Sequence, residues 1–518
     1  MTVQLTTLAE AIRAREQRLQ ITMSPYYGKV DFSSLADIPA DGGARLDRVS
    51  LADLLRNGFV YAPHSIFEDT KLATFGFNPA HDMHAEPEFR FLFRDSEKRA
   101  GPGEPEADWV GGYHRLLCGA VARACTDMRA PWLLQSAGKD STPLAIAAAE
   151  VRPDTTCITY MGGIEEDEVA SATFVANKLG LRHETLVCDP GRAFDRYLAI
   201  VDRMPLLTAD FALLSYVDLA THVAACGGDG LIDGMGADNY FGIPVGWPHR
   251  VLSWLAKDFR LPRGMTELPL LGRNFEFCYL LSTLQMHPVE RAFPGSRFTD
   301  AEVDELLGHE IAAASKARLA LFQSELASAS NADEHFAMAI TVAGSGGGFA
   351  KGLYTADALS LHLAYPFCDP DLREWVYRQV PPDQRVDPVT RTSKVLMRRY
   401  IETRFEQLPY VARKGSFRFD LCGLARQRFE QVHAYALQTR DVMPGAARWL
   451  ERNRGRFDNK YHASKFYLLA IVLPWIQSRH LGAGSQVAAG LLQSTMESLA
   501  GDELGAHGRR EPESRRMR

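Results

Sequence analysis

The sequence predicts an α/β protein built on a parallel β-sheet with helices on both faces, and three observations carry that prediction. Between residues 110 and 245 short apolar runs alternate with helical patterns of about 10 to 18 residues, the rhythm of strands joined by crossover helices. Two of the runs, PWLLQS and GLIDG, pass directly into turns of small residues, as strands do at the carboxyl edge of such a sheet. The chain has 518 residues, 46% of them hydrophobic and 24% charged, which is ample for a large buried core and two or three domains.

The elements follow in order. Residues 1 to 110 read as a mixed N-terminal region: a helix at 5 to 20, a strand-like SPYYGKVDF, then SLADLLRNGF with helical periodicity and a capping serine at Ser50. DSEKRAGPGEPEADW is rich in charge, Gly and Pro and reads as an exposed linker, so a boundary is expected near 110. The alternating part then runs WVGGYHRLLCGAVARACT (helix), PWLLQS (strand), STPLAIAAAEV (helix), TCITYM (strand), EDEVASATFVANKLG (helix), HETLVC (strand) and AFDRYLAIVD (helix). A helix around 210 to 226 and the strand GLIDG complete it. The chain reads as mainly helical from there to about 480, and 481 to 518, ending GRREPESRRMR, as a final helix with a disordered tail.

Composition excludes several classes. A net charge of -6 provides no basic field for nucleic acid or an anionic membrane, so small-molecule partners are expected. No apolar run approaches the roughly 20 residues that span a bilayer, and MTVQLTTLAEAIRAREQ lacks a signal-peptide core. A cytoplasmic enzyme is expected. The eight cysteines form no CxxC pair and no metal-ligand spacing, which suits reduced thiols; Cys118, Cys125 and Cys226 are placed on buried helix faces. His81 and His84, in a polar loop without cysteines nearby, read as unliganded.

The chemistry concentrates at LLQSAGKDSTPLAIA. A strand that enters a helix through Ser136, Gly138, Lys139, Asp140 and Ser141 gathers backbone N–H groups and the positive end of the helix dipole at one point, which attracts phosphate. The order is neither that of a Walker loop nor that of a dinucleotide fold. Two hydroxyls for pyrophosphate and an acid for magnesium are consistent with it; so is a simple capping turn. LIDGMGADNYFG repeats the strand-to-turn pattern and supplies Asp238, able to face Asp140 across the sheet edge. Gly162 and Gly163 after CITYM open room for a flat base.

Taken in order, SAGKDS, CITYMGG with EDEVASATFVANKLGLRHETL, and DGMGADNYFG resemble the synthetase domain of the asparagine synthetase family, which includes β-lactam synthetase, carbapenam synthetase and lasso-peptide cyclases. SLADLLRNGFVYAPHSIFED, LSLHLAYPFCDPDLREWV, TSKVLMRRYIE and LPYVARKGSF resemble further family segments in the same order. The resemblance implies a PP-loop (adenine nucleotide α-hydrolase-like) synthetase domain over 111 to 480. It also implies MgATP-dependent, AMP-forming amide ligation of a small-molecule or peptide carboxylate with an amine. It assigns Leu134, Ser136, Gly138, Lys139, Asp140, Ser141, Tyr160, Met161, Asp233 and Gly234 to the nucleotide, and Asp140 and Asp238 to magnesium. Lys414, Arg391 and Lys394 become the catalytic cations, the last two one turn apart, with a solvated helix face as the plainer account of each.

Departures from the family pattern are informative. Ala137 replaces a loop glycine, Asp233 a serine, Met235 and Asn239 two glutamates, and Ala412 an arginine. His362 stands at the glutamate of the SLEARVPF segment, where it reads either as a general base or as a packed histidine. The glycine-rich GSGGGFAKG reads as a mobile loop over the acyl site or as a flexible connector. Thr2 and a short leading region argue against a functional glutaminase domain, so a substrate amine is expected as nucleophile. Ammonia-using amidation of a sugar acid or amino acid is one alternative, and a noncatalytic nucleotide-binding relative another. Oligomeric state is left open, with a homodimer as the candidate.

Overall fold

The computed structural model describes residues 19–22, 45–68, 70–73, 77–78, 90–91, 108–136, 138–162, 166–241, 244–246, 274–293, 298–405 and 419–481. Its N-terminal part pairs β1 (Leu19–Thr22) in parallel with β2 (Thr70–Ala73), and β3 (Phe77–Asn78) antiparallel with β4 (Arg90–Phe91). Helix α1 (Arg48–Asn57) lies between β1 and β2 in the chain. Its cap is Asp47 and not Ser50: Asp47 has the extended backbone a cap needs and accepts the Val49 N–H at 2.9 Å, while the buried Ser50 hydroxyl, already inside the helix, donates to the same carboxylate. Leu19 and Gln20 are strand, so the helix expected at 5 to 20 cannot run to its end; its remainder, SPYYGKVDF, and His81 and His84 lie outside the described residues.

The predicted parallel sheet is present. Helix α2 (Trp109–Ala124), capped by Asp108, leads into β5 (Pro131–Leu134), α3 (Ser141–Val151), β6 (Thr156–Met161), α4 (Glu166–Lys178), β7 (Arg182–Val187), α5 (Pro190–Leu198), α6 (Leu213–Ala225), β8 (Gly230–Ile232) and α7 (Ala237–Phe241). The strand order is β7-β6-β5-β8-β9, all parallel, and the last strand, His362–Ala364, arrives about 130 residues later in the chain. Alternation assigns the faces. Leu133, Cys157 and Ile232 share a register row and pack under α2 and α3, with Leu117, Val121, Leu144 and Ala148. Trp132, Ile158, Leu186 and Leu231 point the other way and are covered by Tyr216, Leu219, Ala220 and Val223 of α6.

The remainder is helical: α8 (Phe275–Gln285), α9 (Asp300–Leu307), α10 (Ala312–Ala317), α11 (Ala320–Ala327), α12 (Ala332–Ala343), α13 (Ala350–Leu359), α14 (Pro370–Arg378), α15 (Pro382–Arg385), α16 (Val395–Glu402), α17 (Leu421–Gln438), α18 (Ala446–Asn453) and α19 (Lys460–Ile476). Helix α19 is buried from Tyr461 to Ile476, which is why its sequence is apolar all round. Its Lys465 is held by Glu302 at 2.7 and 2.9 Å. Among the described residues no helix is long and apolar enough to cross a membrane.

GSGGGFAKG is neither an open loop nor an irregular connector. Gly344–Phe349 forms a π-helical turn that joins α12 to α13, and Ser345, Gly347, Gly348 and Phe349 are buried. The glycines serve close approach: a Cβ at Gly346 would lie 2.6 Å from the Phe59 ring, and one at Gly348 2.6 Å from the Met235 methyl.

Candidate active site

Three of the five parallel strands, β5, β6 and β8, end at one edge beside the residues singled out in sequence. The turn after β5 is folded on its own hydroxyls: Ser141 Oγ donates to the Ser136 carbonyl at 2.8 Å and accepts the Ser136 N–H at 3.0 Å, and the Gly138 N–H donates to Ser136 Oγ at 3.1 Å. Thr142 Oγ1 ties down the Gly138 carbonyl at 2.9 Å. Leu134 ends the strand, Lys139 is half-buried, and Ala137 lies outside the described residues. Asp140 occupies the N-cap position of α3, yet its side chain makes no capping bond.

That carboxylate is used elsewhere. The Lys394 ammonium bonds Asp140 and also lies 2.5 Å from Asp238 Oδ1, so one buried cation joins the turn after β5 to the turn after β8. Gly234 lies beside this junction, where a Cβ would make ordinary contact with the Asp140 Cβ at 3.5 Å. Burial works against the Lys394 charge, but the two carboxylates outweigh it and hold its pKa above the ordinary lysine value. The plainer account of Lys394, a solvated helix face, does not hold, because it is buried at the N-cap. It takes a left-handed backbone, φ 60°, just ahead of α16, with its N–H on the Arg385 carbonyl at 2.7 Å. A non-glycine residue in that region is uncommon and clusters at functional sites.

Arg391 is also left-handed, φ 59°, and belongs to a different junction. Its guanidinium pairs with Asp333 of α12, whose other oxygen accepts the Val245 N–H at 3.0 Å. It is therefore not one turn from Lys394 on a common helix; it ties the segment after α7 to the helical part. Tyr160 and Met161 end β6 at the expected edge. The Tyr160 hydroxyl donates to the fully buried Asp218 at 3.3 Å, and burial pushes its phenol far above the usual range. Arg192 and Arg196 hold the same Asp218 at 2.8 Å each, so the strand end that would border a base is braced from behind.

His362 is where the structure departs most from the sequence reading. It opens β9, pairs in register with Gly230, the first residue of β8, and is exposed. Parallel strands run toward the carboxyl edge, so His362 lies at the opposite edge from Asp140 and Gly234, and it is neither packed in the core nor joined to the carboxylate cluster. Lys414, Arg413 and Ala412 lie outside the described residues.

Sequence reading missed Lys351, Tyr216 and Asp210. Asp233, the residue at the carboxyl end of β8, is buried and accepts the Met235 N–H at 3.0 Å, which shapes the Gly234–Gly236 turn. Burial raises its pKa, and the Lys351 ammonium opposes that rise. Lys351, buried on α13, donates to the Gly348 carbonyl at 3.1 Å and lies 3.5 Å from Asp210. The available signal was a single lysine inside an otherwise small and apolar run, GSGGGFAKGLYTADAL.

The donor set fits a hard divalent cation: two carboxylates, Asp140 at the cap of α3 and Asp238 in the first turn of α7, converge on a single positive charge, which Lys394 now supplies, at the end of a helix suited to anions. No curated protein matches the chain. The asparagine synthase family model matches residues 112–457, two thirds of the chain, from α2 through α18. With the parallel sheet and the converging carboxylates, that match makes the chain a member of the asparagine synthase family, one of ATP-dependent, amide-bond-forming enzymes with a PP-loop fold.

Proposed function

We propose that the chain activates a substrate carboxylate with ATP, releasing pyrophosphate, and joins the activated acyl group to an amine with release of AMP. The observation that carries this reading is the Lys394 ammonium held between Asp140 and Asp238 at the carboxyl edge of the sheet. When magnesium is bound it neutralises phosphate charge and makes pyrophosphate a better leaving group. Asp140 and Asp238 are the residues to hold it. Lys394, placed on the same two carboxylates, would stand beside the metal and be positioned to pair with a phosphate oxygen. The N–H groups of the turn at Ser136–Ser141 and the N-terminus of α3 receive the polyphosphate. Tyr160 and Met161, braced through Asp218, border the base, and Gly234 admits the ligand backbone closely. Lys414 is the proposed cation beside the acyl carbon.

The nucleophile proposed is an amine carried by the substrate; ammonia is the alternative. Pyrophosphate release from MgATP, measured over a panel of amino acids, diacids and peptides with and without ammonia, tests both. Release that depends on one acid and disappears in Asp140→Ala is the expected result. Binding of MgATP without release for any acid would favour a noncatalytic relative and overturn the proposal.

A further inference from the structure

Helix α6 carries a second cluster of ligating side chains. It was placed by sequence in the core, yet Cys226, at the C-terminal cap of α6, is exposed. One turn earlier His222 presents Nε2 3.6 Å from the Cys226 sulfur and 3.5 Å from Oε2 of Glu184, the third residue of β7. The three ligand atoms all lie within 4.8 Å of one another. Glu184 reaches them because Arg182, Glu184 and Leu186 alternate onto the sheet face that α6 covers. The His222 ring stands edge-on to Trp132, its centroid 6.5 Å away, which fixes the side of the helix it occupies.

We propose that Glu184, His222 and Cys226 form a zinc-type metal site with an open fourth position, on the far side of the sheet edge from the nucleotide loops. Two of the three ligand separations are those of a coordination shell, and the third lies within 4.8 Å. A tetrahedral zinc with bonds of about 2.0 to 2.1 Å to nitrogen and oxygen and about 2.3 Å to sulfur sets its ligands about 3.4 Å (N to O) and about 3.6 Å (N to S) apart. The observed separations are 3.5 and 3.6 Å. Thiolate, imidazole and carboxylate together select zinc over magnesium or calcium, which take oxygen ligands. Three protein ligands on two elements, at an exposed place, leave one position for water or an exchangeable ligand. The metal would bind α6 to β7, the edge strand of the sheet, and its uptake releases the Cys226 thiol proton.

A second cluster, His114, Cys118 and Glu150, provides the contrast. There His114 Nδ1 is engaged by the Tyr400 hydroxyl at 2.9 Å, Nε2 lies 3.2 Å from Glu150, and burial pushes the Cys118 thiol up to about 11, so it stays protonated at neutral pH. It serves as the internal control.

The experiment titrates the chelator-stripped full-length chain with Co2+ and with Zn2+. Expected are one equivalent bound, a sulfur-to-cobalt charge-transfer band with tetrahedral ligand-field bands, and displacement of cobalt by zinc. Cys226→Ser should remove the charge-transfer band, and His222→Ala should weaken binding at least about tenfold. His114→Ala should change neither. Melting curves of the metal-free variants matching the parent establish that the fold is retained. Failure of the parent to bind either metal at micromolar concentration overturns the proposal, as does a charge-transfer band that survives Cys226→Ser.

Discussion

Two buried cations, Arg56 and Lys394, each hold carboxylates from distant parts of the chain, and the difference between them separates what keeps this fold together from what it presents to a ligand. Arg56, on α1, donates to Glu290 at 2.6 Å, to Asp300 at 3.1 Å and to Ser315 at 3.0 Å. Glu290 is fully buried and is also reached by Asn57 at 3.2 Å and by Tyr61. Next to it Arg318 joins Asp47 and the fully buried Asp53. Arg56, Asp53 and Glu290 are buried, and Arg318, Asp47 and Asp300 keep only 12%, 15% and 23% of their side chains exposed. Lys394 instead stands on left-handed backbone between the cap of α3 and the first turn of α7, and one of its partners, Asp238, keeps 45% of its side chain exposed. A sealed network can only hold; an open one can exchange its cation.

Breaking the sealed network should give the largest effect on stability. Arg56→Met leaves Glu290 charged, buried and without its ion-pair partner, and a loss of about 3 to 5 kcal/mol is expected in urea unfolding. A variant that unfolds like the parent would dissolve the distinction between the two sites.

Lys394→Met sharpens the comparison from the other side. Its carboxylates face solvent on the Asp238 flank, so unfolding should shift little, whereas pyrophosphate release should fall about 10² to 10³-fold through lost stabilisation of phosphate charge. The pH sign follows from the raised pKa. The stabilisation from Lys394 is complete below the ordinary lysine pKa and is lost only as pH rises through the higher folded value, so neutral pH should leave it intact.

His462 tests the sealed side by pH alone. Burial, with Lys465 and Arg456 beside it, lowers its pKa to about 4, and Glu302 only partly opposes them. The folded value lies below the unfolded one of about 6.5, so the unfolded chain takes up the proton first. Stability is therefore retained above about pH 6.5 and lost as pH falls toward 4, by an amount on the order of 3 kcal/mol. Urea midpoints measured across that range should slope downward for the parent and flatten for His462→Gln.

What the sequence made legible follows the range of the interactions involved. The turn at Ser136–Ser141 and the turn bearing Asp238 were readable because strand, turn and helix are contiguous there and the chemistry lies in the same few residues. The Asp140–Lys394 pair spans 254 positions and was not anticipated, since the resemblance put Asp140 on magnesium and Lys394 on pyrophosphate; the left-handed backbone that aims Lys394 was not readable at all. Arg391 was read as standing one turn from Lys394, and its pairing with Asp333 was not readable because that residue belongs to another helix. GSGGGFAKG was misread since composition cannot distinguish a glycine that gives freedom from one that gives room, and here Phe59 and Met235 fill the space a Cβ would take. Cys226 was assigned to the core from its helix, although the metal-type cluster depends on Glu184 from a strand 42 positions earlier.

The smallest expected effect is also the one that decides how much a motif position can tell. His362 aligns with a family glutamate, but three-residue β9 puts it in register with Gly230, at the start of β8, while the proposed nucleotide turn follows the carboxyl end of β8. Its backbone N–H is already spent on the Asp229 carbonyl at 2.9 Å, which fixes the strand's register. An imidazole at that edge cannot reach a proton on a nucleophile held beside Asp140, because a general base must lie within hydrogen-bond reach. His362→Ala should therefore leave pyrophosphate release and amide formation within about twofold of the parent, with no change in the acid limb of the pH profile. A loss of 10²-fold or more, matching that of a missing general base, would mean that β9 shifts by several residues when substrate binds, and the sheet edge would have to be redrawn around His362.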